Sequence, residues 1–301
     1  METRPYVDAD APVLEQLLRA VWGSDELALR YYRFGPASER LLGTWVAVAG
    51  GQVVGFGSAW LNAFHPHAVY IGVNVHPAWQ RRGIGSRLLS ALAGLGDGRL
   101  PLQTSTWERS VAGVRFLERH GFVEVRRTWM PELPLADLDL AALAGCEERC
   151  LALGYRFAAL SDVPGYEELL APLLAEVYTA AHGINPPRPM GLGGWTDLLR
   201  RDPPIAAASF VAFAGDQVVA ISLAHEDDAP TLSWSGVTAG HRQHERDLMC
   251  AMAVRQVAAA AALGATAMQG EFDSTDPWDM LLMEALPFGP APAWLTVQRG
   301  R

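Results

Sequence analysis

Residues 69–95 read VYIGVNVHPAWQRRGIGSRLLSALAGL, and no other stretch constrains the chain as strongly. Val69, Ile71, Val73 and Val75 form an apolar, β-branched run that predicts a buried strand. His76-Pro77 ends it. Gln80, Arg81, Arg82, Gly83, Ile84, Gly85 and Ser86 follow, and Leu88, Leu89, Leu92 and Leu95 then mark one face of an amphipathic helix. A basic, glycine-bearing loop that opens a helix is an anion cradle. The first-turn amides have no intrahelical acceptor, and the helix dipole adds partial positive charge there. Without a Cβ, Gly83 and Gly85 let an anion approach the backbone, and the arginines add formal charge. The physics predicts a bound phosphate or pyrophosphate. A Rossmann dinucleotide site fits less well, because it wants glycines directly after the strand, and here Pro77 and Trp79 intervene.

At 301 residues the chain has the length of two domains of roughly 150 residues each. No apolar run reaches the roughly 18–20 residues of a membrane span, and the first dozen residues are polar and acidic without a signal-peptide pattern. The expectation is a cytoplasmic protein with no membrane partner. A net charge of −9 argues against a nucleic-acid partner, which needs a basic surface. It is compatible with a cationic substrate such as an amine. Three cysteines, Cys146, Cys150 and Cys250, are too few for a disulfide framework or a metal site, and read as reduced thiols in packing positions.

In chain order, residues 4–7 predict a short strand, and Asp10 an N-cap ahead of a helix with Leu14, Leu17, Leu18, Val21 and Trp22 on one face. Residues 44–49 and 52–61 predict a hairpin about Gly50-Gly51. After the central strand and helix come a loop over 94–98, a strand over 100–107, a helix over 110–120 ended by Gly121, and a strand over 122–133. A linker helix is expected within 134–154 and a strand over 155–160. The pattern then repeats: TWVAVAGGQVVGFGSAW at 44–60 matches SFVAFAGDQVVAISLAH at 209–225. Strands over 232–237 and 266–272 and helices over 248–263 and 280–286 follow in the same order.

VNVHPAWQRRGIGSRLL resembles the acetyl-CoA signature of the GCN5-related N-acetyltransferase (GNAT) family, (Q/R)-x-x-G-x-(G/A) after a V-x-P strand end. Arg115-Phe116-Leu117-Glu118-Arg119-His120-Gly121-Phe122 resembles that family's R-F-Y-x-x-x-G-F helix end. With the repeat, the resemblance covers nearly the whole chain. It implies an α+β (mixed α/β) protein of two tandem GNAT-like domains, 1–150 and 151–301. Each would be a central, mixed, mostly antiparallel, splayed β-sheet flanked by helices.

The resemblance further implies direct transfer of an acetyl group from acetyl-CoA, with no metal, to the amine of a small molecule held in the same complex. By position, Val73, Asn74 and Val75 line the pantetheine arm, and Gln80, Arg81, Arg82, Gly83, Ile84, Gly85 and Ser86 hold the pyrophosphate. Ser110 stands where the family often has Asn. The family's proton-donating Tyr is replaced by Leu117, so Glu108, His65 or His67, and Tyr70 are the candidates for acid and base. Leu117 also keeps open a CoA-binding protein or scaffold without catalysis, and an acyltransferase using a longer acyl-CoA. In the second copy, Glu245 and Asp247 stand where Gly83 and Gly85 stand in the first. Two like charges 4 Å apart cost about 4 kcal/mol near a protein surface, so this copy is not expected to hold the cofactor. The nearby Glu271, Asp273, Asp276 and Asp279 are expected to cap a helix and lie in solvent.

Overall fold

The computed structural model describes residues 1–95 and 98–300; Gly96 and Asp97, within the loop expected over 94–98, lie outside them. The first strands are β1 (Glu2–Pro5), β2 (Leu41–Ala49), β3 (Gln52–Leu61), β4 (Val69–Val75), β5 (Leu102–Trp107), β6 (Val123–Trp129) and β7 (Glu132–Pro134). They are followed by β8 (Tyr155–Ala159), β9 (Phe210–Ala214), β10 (Gln217–Glu226), β11 (Pro230–Val237), β12 (Ala267–Gly270), β13 (Phe272–Asp273) and β14 (Ala293–Arg299). The helices are α1 (Ala11–Trp22), α2 (Glu26–Tyr31), α3 (Ile84–Ala93), α4 (Val111–Arg119), α5 (Cys146–Ala152), α6 (Tyr166–Ala181), α7 (Leu192–Arg201), α8 (Glu245–Ala262) and α9 (Pro277–Ala285). No described helix is long and apolar enough to cross a membrane.

The strands form two mixed sheets, ordered β1-β2-β3-β4-β5-β14-β6-β13 and β7-β12-β11-β10-β9-β8. The chain divides into two compact units, one of residues 1–125, 185–188 and 295–301, the other of 126–184 and 189–294. The sequence reading divides the chain at residue 150; the compact units instead place residues 126–150 with the second half and the last strand, from Leu295, with the first.

In the first unit, β2 and β3 meet at Gly50-Gly51, both in the left-handed region (φ 57° and 77°), as a tight hairpin between right-twisted strands requires. β4 pairs with β3 along its whole length. Ile84, Leu88, Leu89 and Leu92 of α3 are all buried, and Ile84 and Leu88 cluster with Ala47 and Val54, with Val73 and Val75 packed alongside. Asp10 does not cap α1. Its carboxylate takes both Arg4 guanidinium nitrogens at 2.8 Å and the Val7 amide at 2.9 Å, which holds it below the usual carboxylate range.

In the second unit, β8 forms the edge beyond β9. The strand expected over 122–133 breaks at Met130-Pro131, and its two parts enter different sheets. The strand expected over 266–272 breaks in the same way at Glu271. The linker helix shrinks to α5. The acidic cluster departs from expectation in one respect. Asp276 does cap α9, accepting from the Trp278 and Asp279 amides, but Asp276 and Asp279 are buried, not solvated. Burial raises the Asp276 carboxyl to about 6 and pushes Asp279 well above the carboxylate range.

Candidate functional site

The end of β4 passes through a 3-10 turn (Pro77–Trp79) into the loop before α3. Gly83 caps α3 with φ 78°, and a Cβ built on it would meet nothing within 4 Å. Arg81 also adopts a left-handed backbone (φ 62°), a strained choice for a non-glycine residue of the kind often found where a ligand is gripped. None of the amides of residues 81–86 has a backbone acceptor among the described residues. The loop is thus a run of bare N–H donors at the positive end of a helix. Gly85 has a second duty: a Cβ there would lie 3.1 Å from the ring of Phe116 on α4.

β4 and β5 run parallel but pair only at Val69–Leu102 and Tyr70–Gln103. Both strands continue beyond that point, so they part. The His76 amide bonds Val54 of β3 and the Val69 amide bonds Pro101 on the opposite side. By the alternation of a strand, the backbone groups of Val73 and Val75 therefore face the gap, with Ile71 at the last paired step. The gap and the loop belong to one cleft of about 640 Å³.

Its lining includes Arg81, Arg109, Arg119 and His120 and contains no carboxylate among the described residues, although the chain as a whole carries a net charge of −9. At the loop end, Ser86 Oγ lies 3.0 Å from His120 Nε2. His120 Nδ1 lies 2.8 Å from the Phe116 carbonyl, which only accepts, so in the neutral ring Nδ1 donates and Nε2 accepts from Ser86. At the other end, Asn74 is buried on the face of β4 that meets Trp22 and Tyr32. Trp22 Nε1 donates to Asn74 Oδ1 at 2.8 Å, and Asn74 Nδ2 has no partner among the described residues. Trp22 stacks on Tyr32, whose hydroxyl donates to the Ser105 carbonyl at 2.7 Å. Burial raises Tyr32 well above the usual phenol value.

Of the residues assigned to the cofactor from sequence, Val73, Asn74, Val75, Gln80, Arg81, Gly83, Ile84, Gly85, Ser86 and Ser110 line this cleft. Arg82 does not. Its guanidinium stacks on Trp79 at 4.7 Å and donates to the Ala78 carbonyl at 3.3 Å. The four candidate acid-base residues, Glu108, His65, His67 and Tyr70, also lie outside the lining. Tyr70 is buried where β4 and β5 are still paired, and its hydroxyl accepts from Asn185 Nδ2 at 2.9 Å. His65 Nδ1 is 2.7 Å from the Asn185 carbonyl. Glu108 is exposed in the turn before α4. Leu117 does line the cleft. Sequence reasoning missed Trp22, Tyr32 and His120. Trp22 reads as one more apolar position on α1, and only His120, inside the helix-end motif, carried a signal that could have been used.

In the second unit the corresponding stretch is a 3-10 helix (Ala239–His244) leading into α8. Asp247 is gripped by Arg149 of α5, with Nη2 at 2.7 Å and Nε at 3.1 Å, which lowers the Asp247 pKa and raises that of Arg149. Arg149 also donates to Cys146 Sγ at 3.2 Å. The carboxylate that replaced Gly85 in sequence is thus already neutralised by a cation of its own unit.

Residues 41–124 match the family model for the acetyltransferase (GNAT) domain. The fold is similar to that of a GCN5-related N-acetyltransferase from Sphaerobacter thermophilus (17% identity, TM-score 0.64, over 99% of this chain and 95% of that one). It is also similar to a tandem GNAT protein from the clavulanic acid biosynthesis pathway, in a structure without AcCoA (16% identity, TM-score 0.57, over 99% and 98%). No curated protein sequence matches the chain.

Proposed function

We propose that this chain, in which residues 41–124 form a GNAT acetyltransferase domain, moves an acetyl group from acetyl-CoA to the amine of a small molecule. The observation that carries the reading is that two sets of amides without a backbone acceptor, those of the loop over 81–86 and the gap-facing amides of Val73 and Val75, border the same cleft. The first set suits a diphosphate. The second suits an extended amide-bearing arm laid into the gap as a substitute strand. The cationic lining fits the same anionic ligand, with Arg81 and Arg119 without partners among the described residues and Arg109 paired with Asp25, and the open space at Gly83 leaves the approach clear.

Bound there, acetyl-CoA supplies an activated acyl carbon, and transfer forms a C–N bond to the amine while the C–S bond breaks. The protein's own contribution is position and charge. Holding the amine and the acyl carbon in one cleft supplies much of the acceleration. The amides of Val73 and Val75 are placed to bond an oxygen that gains negative charge. Asn74 Nδ2 is a second donor already stripped of water. The departing thiolate takes its proton from solvent, because the Tyr32 hydroxyl, held protonated by burial, already donates to the Ser105 carbonyl. The amine's proton leaves to solvent; the lining holds no carboxylate among the described residues, and the His120 Nε2 is occupied by Ser86.

One observation favours a second reading, CoA binding without transfer: Leu117, at the family's Tyr position, has no proton to give. Thiol release from acetyl-CoA over a panel of amines separates the two. Release with any acceptor supports transfer. Calorimetric CoA binding with no release from the whole panel supports the second reading.

A further inference from the structure

A second cavity of about 600 Å³ lies in the same unit, and Tyr32 lines both it and the cleft. Arg19 of α1, Arg30 of α2, Arg33 and Arg40 stand around it, all exposed. Its walls include the aromatic rings of Tyr32, Phe34 and Trp60. Some arginines elsewhere are paired, as in Arg4–Asp10, Arg149–Asp247 and Arg255–Glu147, while others, Arg81 and Arg119 of the cleft among them, have no partner among the described residues. The four guanidinium groups around this cavity likewise make no hydrogen bond or ion pair with any described residue. One carboxylate, Glu15, shares the lining, which leaves three formal positive charges in excess.

Like charges gathered without partners repel one another, and an acidic chain has carboxylates to spare for pairing them. The chain contains no lysine, so each of these groups is a planar fork that matches an oxyanion with two hydrogen bonds. Two of them are rooted firmly. The Arg33 carbonyl accepts from the Ser58 hydroxyl, and the Arg40 carbonyl accepts from the Leu61 amide at 2.7 Å, so both side chains spring from backbone tied to β3. An apolar, aromatic floor under a cationic rim fits a small molecule with a hydrophobic body and an anionic end.

We propose that this groove binds the oxyanion, a carboxylate or a phosphate, of the acceptor, so that the acceptor is an amine that also carries an acidic group. The assignment rests on the transfer reading above, because Tyr32 borders both the groove and the cleft in which the amine must sit. It also turns the expectation from net charge around: the chain is acidic overall, yet the surface beside the reaction centre selects for negative charge.

The test uses matched acceptors with acetyl-CoA: phenylalanine against phenylalaninamide, and phosphoethanolamine against ethanolamine. The acidic member of at least one pair is expected to be preferred tenfold or more in kcat/KM, and the two pairs tell carboxylate from phosphate. In the R33A/R40A double variant the preference should fall below about threefold while CoA affinity stays within twofold. Equal use of both members, or a preference that survives in the variant, overturns the proposal. Calorimetric titration with benzoate, phenyl phosphate and benzamide reads the groove without turnover. If no acceptor releases thiol, the transfer reading fails. The groove still stands if the two oxyanions bind wild type, not the variant, and better than benzamide, and it falls if they do not.

Discussion

Trp22 Nε1 donates to Asn74 Oδ1 across 2.8 Å, and that bond decides what Asn74 can offer the cleft. An indole nitrogen only donates, so the amide must turn its oxygen toward Trp22, and its NH₂ is left buried without an acceptor among the described residues. An unmet buried donor costs about 1–3 kcal/mol, which a ligand recovers by supplying an oxygen. If that oxygen belongs to the reacting groups, Asn74→Ala should lower kcat/KM about 10–100-fold while CoA affinity by calorimetry changes little. Asn74→Asp keeps the acceptor for Trp22 and removes the donor, so it should be no better. A fall in melting temperature with unchanged kcat/KM would reduce Asn74 to a packing residue.

Gly83 separates backbone cost from charge cost. A non-glycine residue at its φ of 78° costs about 1–2 kcal/mol, and the space beside it is open, so substitution should leave the fold intact. Asn tolerates that backbone and is neutral. Glu brings a carboxylate to the place proposed for a diphosphate, worth about 4 kcal/mol at 4 Å. Gly83→Asn should therefore bind CoA within about tenfold of wild type, and Gly83→Glu should lose at least 100-fold. Equal affinities for the two variants in calorimetry would remove the pyrophosphate from this loop.

Much of this cleft was legible in the sequence because its chemistry is local. A strand, a Pro stop, a glycine loop and a helix follow one another within 27 residues, and each announces itself by composition or period. The parting of β4 from β5 was expected through the family resemblance, and the pairing register bears it out. What sequence missed comes from far along the chain. Asn185 occupies His65 and Tyr70 from more than a hundred residues away, and no local pattern shows that these side chains are already engaged. Residues 122–133 and 266–272 each carry continuous strand character, but Pro131 and Glu271 mark points where the chain changes sheets. Likewise, the acidic run near Asp276 looks solvated until the burial of α9 is known.

The three cysteines give a prediction with a count. Cys146, Cys150 and Cys250 are buried, and burial pushes Cys150 and Cys250 up to about 12 and raises Cys146. The reactive species is the thiolate, so at pH 8 the native protein should react with none of its thiols on the timescale of free cysteine. In denaturant all three should titrate at once with an aromatic disulfide reagent, since the structure records each as a free thiol. A rapid native reaction, or fewer than three thiols when unfolded, would contradict this packing.

Asp279 gives the last prediction, and its sign follows from burial. A carboxyl whose pKa is raised by folding favours the protonated chain. The stability it allows is complete below the unfolded value near 4 and is lost as pH rises through the folded value. For Asp276, raised to about 6 by burial, the loss between pH 4 and 6 amounts to about 3 kcal/mol. Asp279 is raised further, by its own burial and by the neighbouring Asp276. Asp279→Asn keeps an oxygen for the Asp273 amide, which Asp279 now accepts at 3.0 Å, and deletes the charge. The variant should melt several degrees higher than wild type at pH 8 and within a degree or two of it at pH 4.5. The Asp276 carboxyl, relieved of a like-charged neighbour, should titrate lower. Parallel melting curves for the two proteins across that range would mean that the pair is solvated in solution, and that the α9 cap does not hold its carboxyls away from water.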